Sequence, residues 1–144
     1  MDRTSADKGA MAKRILIIDD EQLLLDLLTH LLSKIGYEVD QASDSREAAG
    51  KLKDREYDAI FLDMKMPLMN GKEFYFKIQE RFPDLAKRIV FITGDVANPE
   101  TISFLRETGN LFIQKPFTIK EVKTLLERFF MDAPSSSDAS DIPQ

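Results

Sequence analysis

The chain has no cysteine. That excludes a disulfide framework, thiol chemistry and a zinc site built on thiolates, and it fits a reducing cytoplasm. Long apolar runs are also missing: the longest stretches fall far short of the ~20 residues that cross a bilayer. The first dozen residues are polar and lack the apolar centre of a secretory signal. Basic charge is in short supply. There are 20 Lys and Arg against 25 Asp and Glu, a formal net charge of −5, and no basic stripe. Nucleic-acid backbones call for a basic face, so no direct nucleic-acid contact is expected.

What is present is enough for one packed domain, with 144 residues of which 43% are apolar and 31% charged. Residues 1–12 are polar without periodicity and read as a flexible N-terminal segment. Residues 132–144 are rich in Ser, Asp and Pro and read as a disordered tail or linker, leaving 13–131 as the folded domain. Within it, strand and helix alternate five times. Strands are predicted over 14–18, 38–42, 59–62, 88–92 and 111–114, and helices over 21–35, 45–55, 71–81, 99–108 and 119–130. The first helix carries Leu23, Leu24, Leu27, Leu28, Leu31, Leu32 and Ile35 at helical spacing, and Gly36 ends it. Ser43 or Asp44, Asn98 and Thr118 are candidate N-caps, Pro99 suits a first helical position, and Pro83 ends the third helix. Four strands are continuous apolar runs, as expected for strands covered on both faces, whereas the second is polar and reads as an edge. Alternating strands and helices imply right-handed crossovers and a parallel sheet between two helical layers.

Each apolar run ends on a reactive side chain. The first reaches Asp19-Asp20, the third Asp63, the fourth Thr93 and the fifth Lys115. Parallel neighbours would bring these ends into one crevice, where open α/β sheets bind ligands. Carboxylates crowded into a dry site repel, and a bound cation resolves the conflict. Oxygen donors completed by water favour Mg²⁺. A carboxylate such as Asp63 is also a nucleophile toward phosphorus, and a Lys ammonium and a Thr hydroxyl hold phosphoryl oxygens. Taken alone, Asp19-Asp20 equally well caps the first helix and complements its dipole.

The combination of Ile17-Ile18-Asp19-Asp20-Glu21, Leu62-Asp63-Met64-Lys65-Met66-Pro67 with Asn70-Gly71, Ile92-Thr93-Gly94 and Phe112-Ile113-Gln114-Lys115-Pro116-Phe117 resembles response-regulator receiver domains of two-component phosphorelays. The resemblance implies a flavodoxin-like (βα)5 three-layer sandwich with strand order 2-1-3-4-5, an order for which a receiver is itself a standard example. It implies that Asp63 accepts the phosphoryl group. Asp20 and Asp63 would be side-chain ligands of Mg²⁺, with the backbone carbonyl of Lys65 as a third ligand and Asp19 acting through a bound water. Lys115 would pair with the phosphoryl group, its bond to Pro116 being cis. Thr93 and Phe112 would form a switch pair that reshapes the surface of helix 4, strand 5 and helix 5. The implied partner is a histidine kinase or phosphotransfer domain, with homodimers through that same surface and no membrane contact. The implied role is a signalling switch more than a metabolic enzyme. The Ile92-Thr93-Gly94-Asp95 stretch resembles receivers attached to hybrid kinases. Lys65 and Asp95 are read as an ion pair across the mouth of the site. His30 is read as a partly exposed surface residue of the first helix, not as a phosphodonor. Two alternatives stand beside this reading: a Mg²⁺-dependent phosphatase with an aspartyl nucleophile, and a receiver-like scaffold that is not phosphorylated.

Overall fold

A computed structural model describes residues 12–132. The expectations for the segments 1–11 and 133–144 lie outside the described residues.

Five parallel strands form one sheet: β1 (Arg14–Ile18), β2 (Glu38–Ala42), β3 (Ala59–Asp63), β4 (Ile89–Thr93) and β5 (Phe112–Gln114). Their order is β2-β1-β3-β4-β5, as the resemblance implied. Five helices connect and follow them: α1 (Gln22–Lys34), α2 (Ser45–Asp54), α3 (Gly71–Arg81), α4 (Pro99–Thr108) and α5 (Ile119–Asp132). Every residue of β3 and β4 is buried. Side chains alternate across the pleat, so Ile15, Ile17, Phe61, Val90 and Ile92 face α1 and α5. Leu16, Ile18, Ile60, Leu62 and Phe91 face α2, α3 and α4. Burial on both faces is why these strands are apolar without alternation. The polar β2 lies at one edge, as predicted, and β5 at the other.

Local chemistry starts and stops the helices. Asp44, rather than Ser43, is the N-cap of α2, accepting from the Glu47 N–H at 2.8 Å. Asn70 and Glu73 form a reciprocal capping box on α3. Asn98 caps α4 with Pro99 at its first turn, and Gly109 closes it in the left-handed region at φ 74°. The Thr118 hydroxyl accepts from the Glu121 N–H, and the Glu121 carboxylate accepts from the Thr118 N–H.

Three details differ from the sequence reading. Pro83 ends α3 but also starts a single helical turn, Pro83–Ala86, because proline suits a first helical position. The leucine stripe of α1 is wider than the face the sheet covers. Leu25, Leu28 and Leu32 are buried, while Leu23 is 83% and Leu27 54% exposed. Leu68, in the loop from β3 to α3, has φ 73°, a conformation unfavourable for a residue with a Cβ. Its side chain is largely exposed, so little packing offsets the strain. Leu68→Gly will raise stability by about 0.5 kcal/mol, the relieved strain exceeding the added chain entropy. Equilibrium denaturation measures this, and a loss of stability would contradict the account.

Candidate functional site

Register brings the predicted residues together. Ile18 pairs with Leu62, Asp63 with Ile92, and Thr93 with Gln114. Asp19, Asp63, Thr93 and Lys115 therefore stand side by side at the carboxyl end of the sheet, at or just beyond the ends of β1, β3, β4 and β5. Asp19, Asp20 and Asp63 each offer an oxygen within 4.8 Å of the others'. Asp19 and Asp63 are buried, whereas Asp20 is exposed.

Asp19 has a mixed environment. Its Oδ1 accepts from the Glu21 N–H at 3.0 Å, which ties the carboxylate to the start of α1. Its Oδ2 is buried without a well-directed hydrogen bond and faces the Lys115 Nζ at 3.1 Å. The same ammonium lies 3.2 Å from Glu21 Oε1 and 3.6 Å from Asp63 Oδ2. Burial lowers the pKa of Lys115, but its close contact with Asp19 and the charges of Asp63 and Asp19 outweigh it, so the net shift is upward. Asp63 Oδ1 accepts from the Lys65 N–H at 3.1 Å. Burial, then the charge of Asp19, pushes the Asp63 carboxyl up to about 6, with the Lys65 N–H and Lys115 opposing. A buried oxygen short of donors beside two further carboxylates suits a hard divalent cation, so the donor set fits the implied metal.

Thr93 is buried, and its hydroxyl accepts from the Asp95 N–H at 3.1 Å. It shares with Asp63, Lys65 and Lys115 the wall of an open cavity of about 470 Å³. Phe112 does not line that cavity; it is paired with Phe91 in the sheet and is 45% exposed. The Lys115–Pro116 bond is cis, as implied. The expected ion pair between Lys65 and Asp95 is not formed. Both residues line the cavity, but Lys65 is exposed and Asp95 half-exposed, and solvated charges gain little from pairing. His30 is exposed on α1.

Three residues at the site were not singled out from the sequence. Glu21 shares the Lys115 ammonium, and its place in the Asp-Asp-Glu run was the only signal. Gly71 packs against the acceptor strand: a Cβ there would lie 2.6 Å from the Asp63 carbonyl oxygen and 2.8 Å from Met64 Cα. Its N–H donates to the Met64 carbonyl at 3.0 Å. A glycine opening a helix right after its N-cap was the legible sign. Lys72, next along α3, also lines the cavity.

Residues 15–127 match the model of the response regulator receiver domain. The chain belongs to that family. A chemotaxis protein CheY from Thermotoga maritima is 31% identical over 119 residues, covering 82% of this chain and 98% of the relative. The alkaline phosphatase synthesis transcriptional regulatory protein PhoP of Bacillus subtilis is 32% identical over 135 residues, covering 91% of this chain and 55% of the relative. Among solved structures, a CheY-like receiver domain protein from Methanospirillum hungatei superposes with a TM-score of 0.78 at 27% identity, covering 87% of this chain and 98% of that one. The chain spans somewhat over half the length of the first curated relatives it matches. The family match decides for a receiver domain of two-component signalling, a phosphoacceptor module, over an aspartyl phosphatase. No described helix is long and apolar enough to cross a membrane.

Proposed function

We propose that this receiver domain takes a phosphoryl group from a phosphohistidine of a histidine kinase or phosphotransfer protein onto Asp63. The observation that carries the reading is the buried Asp63, flanked by Asp19 and Asp20, with the Lys115 ammonium 3.6 Å from its Oδ2. An Asp63 oxygen attacks phosphorus, the N–P bond breaks, and the electron pair stays on the imidazole nitrogen. Asp19, Asp20, Asp63 and the Lys65 carbonyl would hold a Mg²⁺ ion, which when bound neutralises the repulsion between carboxylate and phosphoryl oxygens. Lys115 follows the transferred charge, leaving Asp19 and Glu21 to pair with phosphoryl oxygen.

The same site is read as a switch. The Thr93 hydroxyl exchanges the Asp95 N–H for a phosphoryl oxygen, and Phe112 turns from its half-exposed position into the space vacated. The altered surface of α4, β5 and α5 is then available to a protein partner or a second receiver. Exposure to acetyl phosphate with Mg²⁺, followed by peptide mapping, will place one phosphoryl group on Asp63. Labelling that persists unchanged in Asp63→Asn would end the assignment.

A further inference from the structure

The cavity is larger than a phosphoryl group requires. It runs past Asp63 and Thr93 to Lys72 on the first turn of α3 and Phe104 on α4. Its three cations are placed unequally, with Lys65 exposed to solvent on the loop after β3. The Lys115 ammonium is held by the carboxylates of Asp19, Glu21 and Asp63. The Lys72 ammonium lies 5.5 Å over the Phe104 ring instead, and no carboxylate of the described residues pairs with it. An aromatic face holds an ammonium in place without neutralising it. The position is unfavourable for helix stability, since a cation in a first turn opposes the helix dipole. The carboxylates of Asp95 and Glu100 also line the cavity, so an incoming anion meets repulsion from the α4 side and attraction from the α3 side.

We propose that Lys72, held over Phe104, is a specificity residue that favours phosphodonors whose leaving group departs as a carboxylate. The inference rests on Asp63 being the acceptor. In-line displacement puts the leaving group on the far side of phosphorus from Asp63, in the outer part of the cavity. With an acyl phosphate, a bond forms between Asp63 oxygen and phosphorus. The bond from phosphorus to the acyl oxygen breaks, and the electron pair leaves on a carboxylate. The charge developing there is stabilised by a nearby ammonium more in the transition state than in the bound donor. With phosphoramidate the P–N bond breaks and the pair leaves on the already protonated nitrogen, which departs as neutral ammonia. No anion develops for Lys72 to stabilise.

The test compares rates of Asp63 phosphorylation by acetyl phosphate and by phosphoramidate, in Mg²⁺ at fixed ionic strength. Lys72→Gln is expected to slow the acetyl phosphate reaction about fivefold and the phosphoramidate reaction less than about twofold. Lys72→Arg restores most of the difference. Lys87→Gln makes the same change of charge at an exposed position just before β4, at the opposite end of the sheet, and leaves the ratio of the two rates unaltered. An unchanged ratio in Lys72→Gln, or equal slowing with both donors, overturns the proposal while the acceptor assignment stands. Failure of the unaltered protein to be labelled by either donor overturns both.

Discussion

Gly71→Ala will slow phosphorylation of Asp63 about a hundredfold and lower folding stability by about 2 kcal/mol. The added methyl would sit 2.6 Å from the Asp63 carbonyl oxygen and 2.8 Å from Met64 Cα. Both are backbone atoms, so no rotamer change relieves the contact. Either α3 moves outward or the end of β3 does. The first weakens the packing of Phe74, Tyr75 and Ile78 on the sheet. The second displaces the acceptor from Lys115 and from the carboxylates at the end of β1. In both cases the Gly71 N–H loses its partner on Met64. Gly50→Ala supplies the contrast. Gly50 lies inside α2 and a Cβ there meets nothing within 4 Å, so alanine should add about 0.5–1 kcal/mol through helix propensity alone. Denaturant unfolding and labelling of both variants decide the matter. A Gly71→Ala protein with native stability and native labelling would show that the helix start is not what holds the acceptor.

Asp63→Asn will abolish labelling and yet make the metal-free protein more stable at neutral pH. The folded carboxyl titrates near 6, above its ordinary 3.8, because burial and the Asp19 charge disfavour its ionised form. The sign follows from proton binding. Below about pH 4 the carboxyl is protonated folded and unfolded alike, and it contributes no pH dependence. Between about pH 4 and 6 the folded state binds more proton, so stability falls as pH rises. Above about pH 6 the penalty is fully present and constant. The whole shift corresponds to a ceiling of about 3 kcal/mol, and solvent at the open cavity reduces it to about 1–2 kcal/mol. Asparagine removes the ionisation, so the Asp63→Asn protein should lose this part of the slope and gain that amount at pH 7.5. Addition of Mg²⁺ should reverse the order, raising the melting temperature of the unaltered protein far more than that of the variant. Thermal melts across pH 4–8, with and without Mg²⁺, read both effects. Identical pH profiles for the two proteins would mean that Asp63 is not strained by its neighbours.

Much of this architecture is written in local pattern. Strands β1, β3 and β4 were legible because burial on both faces leaves continuous apolar runs. Helix starts at Asp44, Asn98 and Thr118 were legible because capping is a contact between near neighbours in the chain. Leu23 and Leu27 show where pattern stops informing: periodicity reports apolar side chains, not which of them the rest of the fold covers. The positive φ of Leu68 went unseen because its residue type argues against it. The ion pair expected between Lys65 and Asp95 failed because closeness to one site does not decide which charges meet.

By itself the sequence determined the alternation of strands and helices, the polar edge strand, and the chemical types waiting at four strand ends. Those are properties of short stretches, governed by backbone geometry and by which side chains tolerate water. Only tertiary structure decided that Lys115 is shared among Asp19, Glu21 and Asp63, that Gly71 touches the acceptor's own backbone, and that Lys72 rests on an aromatic ring. Such contacts depend on strand register and helix docking between segments far apart in the chain, which no short stretch of sequence encodes.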